Sequence, residues 1–136
     1  MSGPAHSLPV RVYYEDTDLA GIVYYANYLK FIERGRSEWI AALGIDQMDL
    51  RARLGVVFAV RRVEADYLRP ARFAEDLVVE TRLSAVGGAR IVLDQAVVRA
   101  GERIFQAEVT LVCLSEDGHA HRLPPEVRAR LSVQLH

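Results

Sequence analysis

The apolar residues of this chain change their spacing once, from a helical period to a period of two, and that change restricts the folds available to it. Between residues 25 and 43 they recur at intervals of three, four and seven and so occupy one face of a helix. That face consists of Tyr25, Tyr28, Leu29, Ile32, Trp39, Ile40 and Leu43. From Val57 to Cys113, apolar and polar residues alternate in four successive stretches. Such alternation predicts antiparallel strands with one buried face.

Shorter signals place the remaining elements around this pattern. Leu8 to Tyr14 reads as a first strand, and Asp46 is the expected N-cap of one or two helical turns that end at Gly55. Gly87-Gly88 and Ala100-Gly101 predict tight turns that join the later strands into a meander. The order is therefore a strand, a long helix and four strands. We predict an α+β domain in which one helix covers one face of a curved antiparallel sheet.

The size and charge of the chain exclude several functional classes. Its 136 residues fit one domain, 1–136, of which we expect residues 1–7 to be a flexible arm. With 17 basic and 18 acidic residues the chain has no excess of positive charge that would attract a nucleic acid. Its longest apolar runs have only strand length, so we expect no membrane span. The single cysteine, Cys113, excludes an intrachain disulfide, and with no secretory signal evident we expect a cytoplasmic protein.

The stretch before the long helix carries the residues with chemical potential. Glu15, Asp16 and Asp18 lie within four positions of one another, just ahead of the helix N-terminus. Carboxylates in such a place often act only as turn residues and caps. The neighbouring aromatic and aliphatic residues, however, indicate a partly buried acidic turn. A carboxylate there can act as a nucleophile or a general base toward a carbonyl, and helix N–H groups can hold the developing oxyanion.

This stretch resembles a known family. The run from Tyr13 to Tyr24 reads Tyr-Tyr-Glu-Asp-Thr-Asp-x-x-Gly-Ile-Val-Tyr and is followed by Ala26-Asn27-Tyr28 and by residues 31–34, Phe-Ile-Glu-Arg. It is similar to the hotdog-fold acyl-CoA thioesterases of the hydroxybenzoyl-CoA thioesterase-like class, and most closely to their YbgC-like group, which is associated with the Tol–Pal cell-envelope system. The resemblance extends over almost the whole chain.

The resemblance implies a reaction and roles for particular residues. It implies hydrolysis of a small acyl-CoA to a free acid and CoA, with no metal and no cofactor. Asp18 would be the catalytic carboxylate, as nucleophile or general base, and Gly21 would allow the tight turn. The backbone N–H of Tyr25, at the helix start, would polarise the thioester carbonyl. YbgC-like proteins often have His where this chain has Tyr25, so the choice between aliphatic and aromatic acyl groups stays open.

The family also implies an assembly. Its members pair the edges of their sheets into dimers, often two dimers to a tetramer, with active sites at the subunit boundary. A single sheet with exposed edges favours oligomerisation on physical grounds as well. We therefore expect a dimer or a homotetramer. The resemblance also suggests a protein partner in envelope assembly or fatty-acid synthesis.

Three further residues are candidates for substrate binding. Tyr24 and Tyr28 would line an acyl pocket, although aromatics at helical spacing are often simply core. Arg90, after the turn at Gly87-Gly88, would contact the phosphates of CoA, because a guanidinium matches phosphate geometry. A solvated strand residue is the structural alternative for Arg90.

Glu33 is a fallback catalytic base, because another branch of hotdog thioesterases carries its carboxylate on this helix. A salt bridge with Arg34 or Arg36 is the structural alternative.

Two other functions compete with hydrolysis. A hotdog dehydratase depends on a histidine, and residues 7–118 contain none. A non-catalytic acyl-CoA binding protein or adaptor of envelope assembly remains the alternative, because such a protein could keep Asp18 and Gly21 as folding elements. Binding without turnover would distinguish it from an enzyme.

Overall fold

A computed structural model describes residues 5–135. The order of elements agrees with the prediction and is β1 (His6–Arg11), a 3-10 turn (Tyr14–Asp16), α1 (Asn27–Ala42), α2 (Gln47–Leu54), β2 (Val56–Tyr67), β3 (Asp76–Val86), β4 (Arg90–Arg99), β5 (Glu102–Ser115), α3 (Pro125–Ser132) and a 3-10 turn (Val133–Leu135). Strand β1 begins at His6, so two residues of the predicted arm 1–7 belong to the sheet. Residues 1–4 of that arm lie outside the described residues.

The strands form one antiparallel sheet in the order β1-β3-β4-β5-β2. The predicted meander is therefore correct only for β3, β4 and β5, because β2 pairs with β5 and not with β3. Alternation of apolar and polar residues fixes the face on which a side chain lies but does not identify the neighbouring strand. The segment of residues 68–75 consequently crosses from β2 at one edge to β3 beside the other.

The predicted caps and turns are confirmed. The Asp46 carboxylate accepts a hydrogen bond of 3.0 Å from the N–H of Asp49 at the start of α2. Gly55 ends that helix with a φ of 67°. Ala100 and Gly101 have φ values of 49° and 83°, as expected for a tight hairpin turn. Within the described part of the chain, no helix is long and apolar enough to cross a membrane.

Helix α1 packs on the inner face of the sheet, but its buried face differs from the predicted one. Leu29 is 40% exposed, whereas Gly35 and Arg36 are buried. The helix comes so close to β3 that a Cβ at Gly35 would lie 2.4 Å from Cγ1 of Val79. The missing side chain of Gly35 therefore sets the distance between helix and sheet.

A buried polar cluster lies where the helix meets the sheet. Arg36 donates to Oε1 of Gln95 at 3.1 Å. Nε2 of Gln95 donates to the carbonyl of Ile32 at 2.8 Å and to Oγ1 of Thr81 at 2.9 Å. Burial lowers the pKa of Arg36, and the charge of nearby Glu33 partly opposes that effect. These hydrogen bonds fix the register of α1 on the sheet, because each group would otherwise be buried without a partner.

Candidate active site

The acidic turn forms a short hairpin that leads into α1. The N–H of Asp18 donates to the carbonyl of Ile22 at 2.9 Å, and the N–H of Tyr24 donates to the carbonyl of Asp16 at 2.9 Å. Gly21 closes the turn with a φ of 80°, a conformation that favours glycine. The tight turn predicted at Gly21 is confirmed. Asp18 is thereby the first residue of the turn, at the closed end of a hairpin whose second arm continues toward the helix.

Only one oxygen of the Asp18 carboxylate is hydrogen-bonded in the described structure. Oδ1 accepts a hydrogen bond of 2.9 Å from the N–H of Ala20. Among the described contacts Oδ2 has no partner, so it is available to a substrate. The carboxylate lines an open depression of about 660 Å³. The other residues of that depression are Tyr14, Glu15, Thr17, Leu19, Gly21 and Phe73.

The expectation that the acidic turn is partly buried holds for Asp16 and Thr17, which are half-buried, but it is wrong for Asp18 in the single chain. Asp18 itself is exposed, Leu19 is fully exposed at 106%, and Tyr25 is 60% exposed. Tyr14 and Leu19 on either side of the carboxylate are exposed, whereas Val23 at the end of the hairpin is buried in the core. Together with Phe73, Tyr14 and Leu19 form the exposed apolar wall of the depression that contains the carboxylate.

The N-terminus of α1 lies two residues later than predicted. The helix begins at Asn27 with Ala26 as N-cap, and Ala26 has no side chain that could cap it. The N–H groups of Asn27 and Tyr28 donate to the carbonyls of Tyr24 and Tyr25. In the described structure the N–H groups of Tyr25 and Ala26 have no acceptor. Two adjacent free donors at the positive end of a 16-residue helix can hold a developing oxyanion.

Asn27 ties this helix end to the hairpin. Its Nδ2 donates to the carbonyl of Asp16 at 2.9 Å, the same oxygen that accepts from the N–H of Tyr24. The carboxylate of Asp16 accepts from the N–H of Tyr13 at 2.8 Å. Asp16 is therefore a structural cap. The role of Asn27 could not be read from the sequence, because its partner lies 11 positions away in the hairpin.

An apolar groove of about 330 Å³ lies beside the free N–H groups. Its lining residues are Ile22, Val23, Tyr25, Tyr28, Tyr67, Leu68, Arg69 and Pro70. Sequence reasoning missed Tyr67, because β2 reaches the helix end only through the tertiary fold.

The two tyrosines proposed for substrate binding have different environments. Tyr28 is only 3% exposed, stacks on Phe105 with ring centroids 5.1 Å apart, and accepts a hydrogen bond from the N–H of Ala71 at 3.0 Å. Burial raises the pKa of Tyr28, against the lowering effect of that hydrogen bond. Tyr28 is thus a core residue that also lines the groove. Tyr24 is 46% exposed and packs on the ring of Tyr25, outside the groove lining.

Arg90 lies at the other end of the sheet from Asp18. The hairpin of Asp18 contacts the segment just before β3, and Arg90 follows the end of β3, whose 11 residues span roughly 35 Å. The structure therefore does not bring Arg90 and Asp18 of one chain together.

Two arginines that sequence reasoning missed flank the turn before Arg90. Arg128 donates to the carbonyls of Gly87 and Gly88 at 2.9 and 3.2 Å. Nη1 of Arg122 lies 4.0 Å from the place that a Cβ on Gly88 would occupy. Arg90 is distant in the sequence from Arg122 and Arg128, so no local motif could have linked the three guanidinium groups.

Glu33 lies on the exposed face of α1. Its carboxylate accepts a hydrogen bond of 2.7 Å from Oγ of Ser37. The expected salt bridge is wrong, since among the described side chains Glu33 forms no ion pair with Arg34 or Arg36. The described residues also include no group of three or more His, Cys, Asp or Glu side chains that could hold a metal ion.

The chain is similar to several known proteins. Residues 12–131 match the family model of the thioesterase-like superfamily. The acyl-CoA thioesterase YbgC of Haemophilus influenzae is 41% identical over 108 residues, which are 79% of this chain and 79% of the relative. A probable thioesterase from Bartonella henselae is 35% identical with a TM-score of 0.85, over 89% of this chain and 100% of that chain. A 1,4-dihydroxy-2-naphthoyl-CoA thioesterase from Synechocystis shares the fold, with a TM-score of 0.88 at 18% identity over 98% of this chain and 99% of that chain.

Proposed function

The chain belongs to the thioesterase-like superfamily, with the predicted hotdog fold, and we propose that it hydrolyses the thioester of a small acyl-CoA to the free acid and CoA. The relative from Haemophilus influenzae, named an acyl-CoA thioesterase, supports this reaction. The observation that carries the proposal is the free oxygen of the Asp18 carboxylate, at the turn of a hairpin whose second arm leads to two free N–H groups.

The reaction begins with the thioester carbonyl at the start of α1. The N–H of Tyr25, joined by that of Ala26, stabilises the negative charge that develops on the carbonyl oxygen. Asp18 then acts in one of two ways. It attacks the carbonyl carbon and forms a mixed anhydride that water later hydrolyses, or it takes a proton from the attacking water. In both routes the C–S bond breaks, and the proton released from water ends on the sulfur of CoA. No metal and no cofactor takes part.

The acyl group lies in the apolar groove. The groove begins at the free N–H groups, and Tyr25, Tyr28 and Tyr67 form its aromatic walls. Its volume of about 330 Å³ suits a small acyl group. Tyr24, in contact with the ring of Tyr25, extends the apolar surface at the rim.

The phosphates of CoA bind to the arginines at the turn of Gly87-Gly88. Arg90 and Arg122 offer guanidinium groups there, and Arg128 fixes the turn through its carbonyls. Because the length of β3 separates this turn from Asp18, the arginines come from a second copy of the chain. The active site is then completed at the boundary between subunits of a dimer or a homotetramer.

The proposed setting is the cytoplasm, where the enzyme would cooperate with a protein of envelope assembly or fatty-acid synthesis. The resemblance of the sequence to the YbgC-like group supports this setting.

Release of free CoA by the wild type, Asp18→Asn and Glu33→Gln tests the proposal. The substrates are short-chain, long-chain and benzoyl thioesters. Asn keeps an oxygen for the N–H of Ala20, so Asp18→Asn keeps its fold and its melting temperature. We expect it to lose a factor of about 100 or more in kcat/KM, while Glu33→Gln retains activity.

Each alternative has its own outcome in this experiment. Loss of activity in Glu33→Gln and not in Asp18→Asn would identify Glu33 as the base. Binding of the thioesters without turnover by any of the three proteins would identify a binding protein or adaptor.

A further inference from the structure

A tyrosine from the far edge of the sheet reaches the helix end at which the oxyanion forms. The hydroxyl of Tyr67, the last residue of β2, donates to the carbonyl of Tyr25 at 3.2 Å. The same carbonyl accepts from the N–H of Tyr28 at 3.4 Å. This carbonyl belongs to the peptide unit whose N–H is that of Ala26, the second free donor.

The ring of Tyr67 is held by three aromatic neighbours. Its centroid lies 6.1 Å from that of Tyr25, 5.6 Å from that of Tyr28 and 5.0 Å from that of Phe105, in edge-on arrangements. Such contacts fix the ring, and with it the direction of the hydroxyl. Burial, together with the neighbouring Tyr25, raises the pKa of Tyr67. The hydroxyl therefore remains a protonated donor throughout the neutral and mildly alkaline range.

A hydrogen bond to a peptide carbonyl acts on the N–H of the same peptide unit. It polarises the unit, which makes the N–H a stronger donor, and it fixes the plane in which that N–H points. We propose that Tyr67 is a positioning residue for thioester hydrolysis, one that orients and polarises the Tyr25–Ala26 peptide so that the N–H of Ala26 serves as a second oxyanion donor. This inference rests on the proposed function and adds to it a residue that no motif near Asp18 contains.

Tyr67→Phe tests the proposal, because it removes only the hydroxyl and keeps the ring contacts. We expect kcat to fall about three- to tenfold, a fraction of the effect of deleting an oxyanion donor outright. KM and the melting temperature should not change. Binding of an alkyl thioether of CoA, which has no carbonyl beside the sulfur, should not change either. Tyr13→Phe is the matched control, since Tyr13 is 60% exposed and lines a different groove, with Arg11 and Glu38.

Ala26→Pro provides a second, direct variant. The φ of Ala26 is −68°, a value that proline adopts, and proline has no N–H. Ala26 is the third residue of the turn that the N–H of Asn27 closes on the carbonyl of Tyr24, and proline there disfavours the helical backbone of Tyr25. The melting temperature of the variant is therefore measured beside its kcat. We expect kcat to fall about 10- to 100-fold, and Tyr67→Phe should then have no further effect in the Ala26→Pro background. Such non-additivity would not arise if the two residues acted independently.

The outcomes separate this inference from the proposed function. If the wild type releases no CoA, both fail. If the wild type is active and Tyr67→Phe keeps the wild-type kcat, only the inference fails. A change in KM, thioether binding or melting temperature in place of kcat would show that the Tyr67 hydroxyl contributes to binding or to stability and not to the oxyanion, and would also overturn the inference.

Discussion

Gly35 is the residue at which α1 lies closest to the sheet. A Cβ there would lie 2.4 Å from Cγ1 and 3.2 Å from Cβ of Val79, and 3.3 Å from Oγ1 of Thr81. Because both neighbours belong to a packed central strand, Gly35→Ala must move the helix away. We expect it to lower the free energy of unfolding by about 1–3 kcal/mol, as other overpacked cores do. Urea denaturation measures this change.

Gly88→Ala is the control for that substitution. Gly88 lies in an exposed turn, and its added Cβ would meet only the end of the Arg122 side chain, at 4.0 Å. We expect a change within about 0.5 kcal/mol. Equal stability of Gly35→Ala and the wild type would show that the helix adapts freely and that Gly35 does not set its distance from the sheet.

The contact between α1 and the sheet also includes buried residues that could not be predicted from the sequence. A period of 3.6 identifies an apolar face only when the buried residues are apolar. Arg36 and Gln95 are buried because they satisfy each other and the carbonyl of Ile32, and that pairing joins residues 59 positions apart. Asp18 and Gly21, in contrast, lie within one local motif, so the sequence alone could identify them as candidates.

Among the secondary-structure elements, the crossover segment between β2 and β3 is held in place by hydrogen bonds to Glu75. Its Oε1 accepts from the N–H of Arg72 at 2.7 Å and from Arg99 at 2.9 Å, and Arg99 also donates to the carbonyl of Pro70. Burial acts to raise the pKa of Glu75, but these two hydrogen bonds and the charge of Arg99 outweigh it and lower the pKa. The ionised carboxylate is thus the form that stabilises the native state.

Because the pKa of Glu75 is lower in the folded chain, its ionisation stabilises the fold only above its unfolded pKa, about 4.3. We expect Glu75→Gln to be less stable than the wild type by about 1–2 kcal/mol at pH 7. The difference should vanish as the pH falls from about 4 through the folded pKa. Thermal unfolding at several pH values tests this.

Asp76→Asn is the matched control for Glu75→Gln. The carboxylate of Asp76 forms an ion pair with Arg11 at an N–O distance of 3.9 Å, and both side chains are largely exposed. Such pairs contribute little to stability. A loss in Glu75→Gln that is the same at pH 3 and pH 7 would contradict the role of the charge.

The elements themselves were largely predictable, and their arrangement was not. Local signals such as Asp46, Gly55 and Ala100-Gly101 fixed where helices and hairpins begin and end. The partner of β2 depends on a crossover that is held by Glu75 and Arg99, residues 24 positions apart. Nothing local to β2 encodes that choice.

In the whole molecule, a single chain leaves the surroundings of Asp18 exposed and does not bring the proposed CoA-binding arginines to it. Leu19, Tyr14 and Phe73 expose apolar surface around Asp18, and β1 and β2 are unpaired edges of the sheet. Exposed apolar surface often marks a contact with another molecule, and an open sheet edge can pair with a second chain. The arginines at Gly87-Gly88, far from Asp18 in the same chain, point to the same requirement.

Mixing two inactive variants tests whether the site is shared. If Asp18 and Arg90 of one site come from different chains, a mixed dimer of Asp18→Asn and Arg90→Ala contains one site with both defects and one intact site. Random exchange of subunits makes half of the dimers mixed, so the mixture should regain about a quarter of the wild-type kcat/KM. Each variant alone should stay far below that value, and Asp18→Asn mixed with itself provides the control. If mixing restores nothing while subunits demonstrably exchange, each chain supplies its own Arg90 and the shared site is wrong. If Arg90→Ala alone keeps the wild-type kcat/KM, the site does not use Arg90, and the shared site is wrong as well.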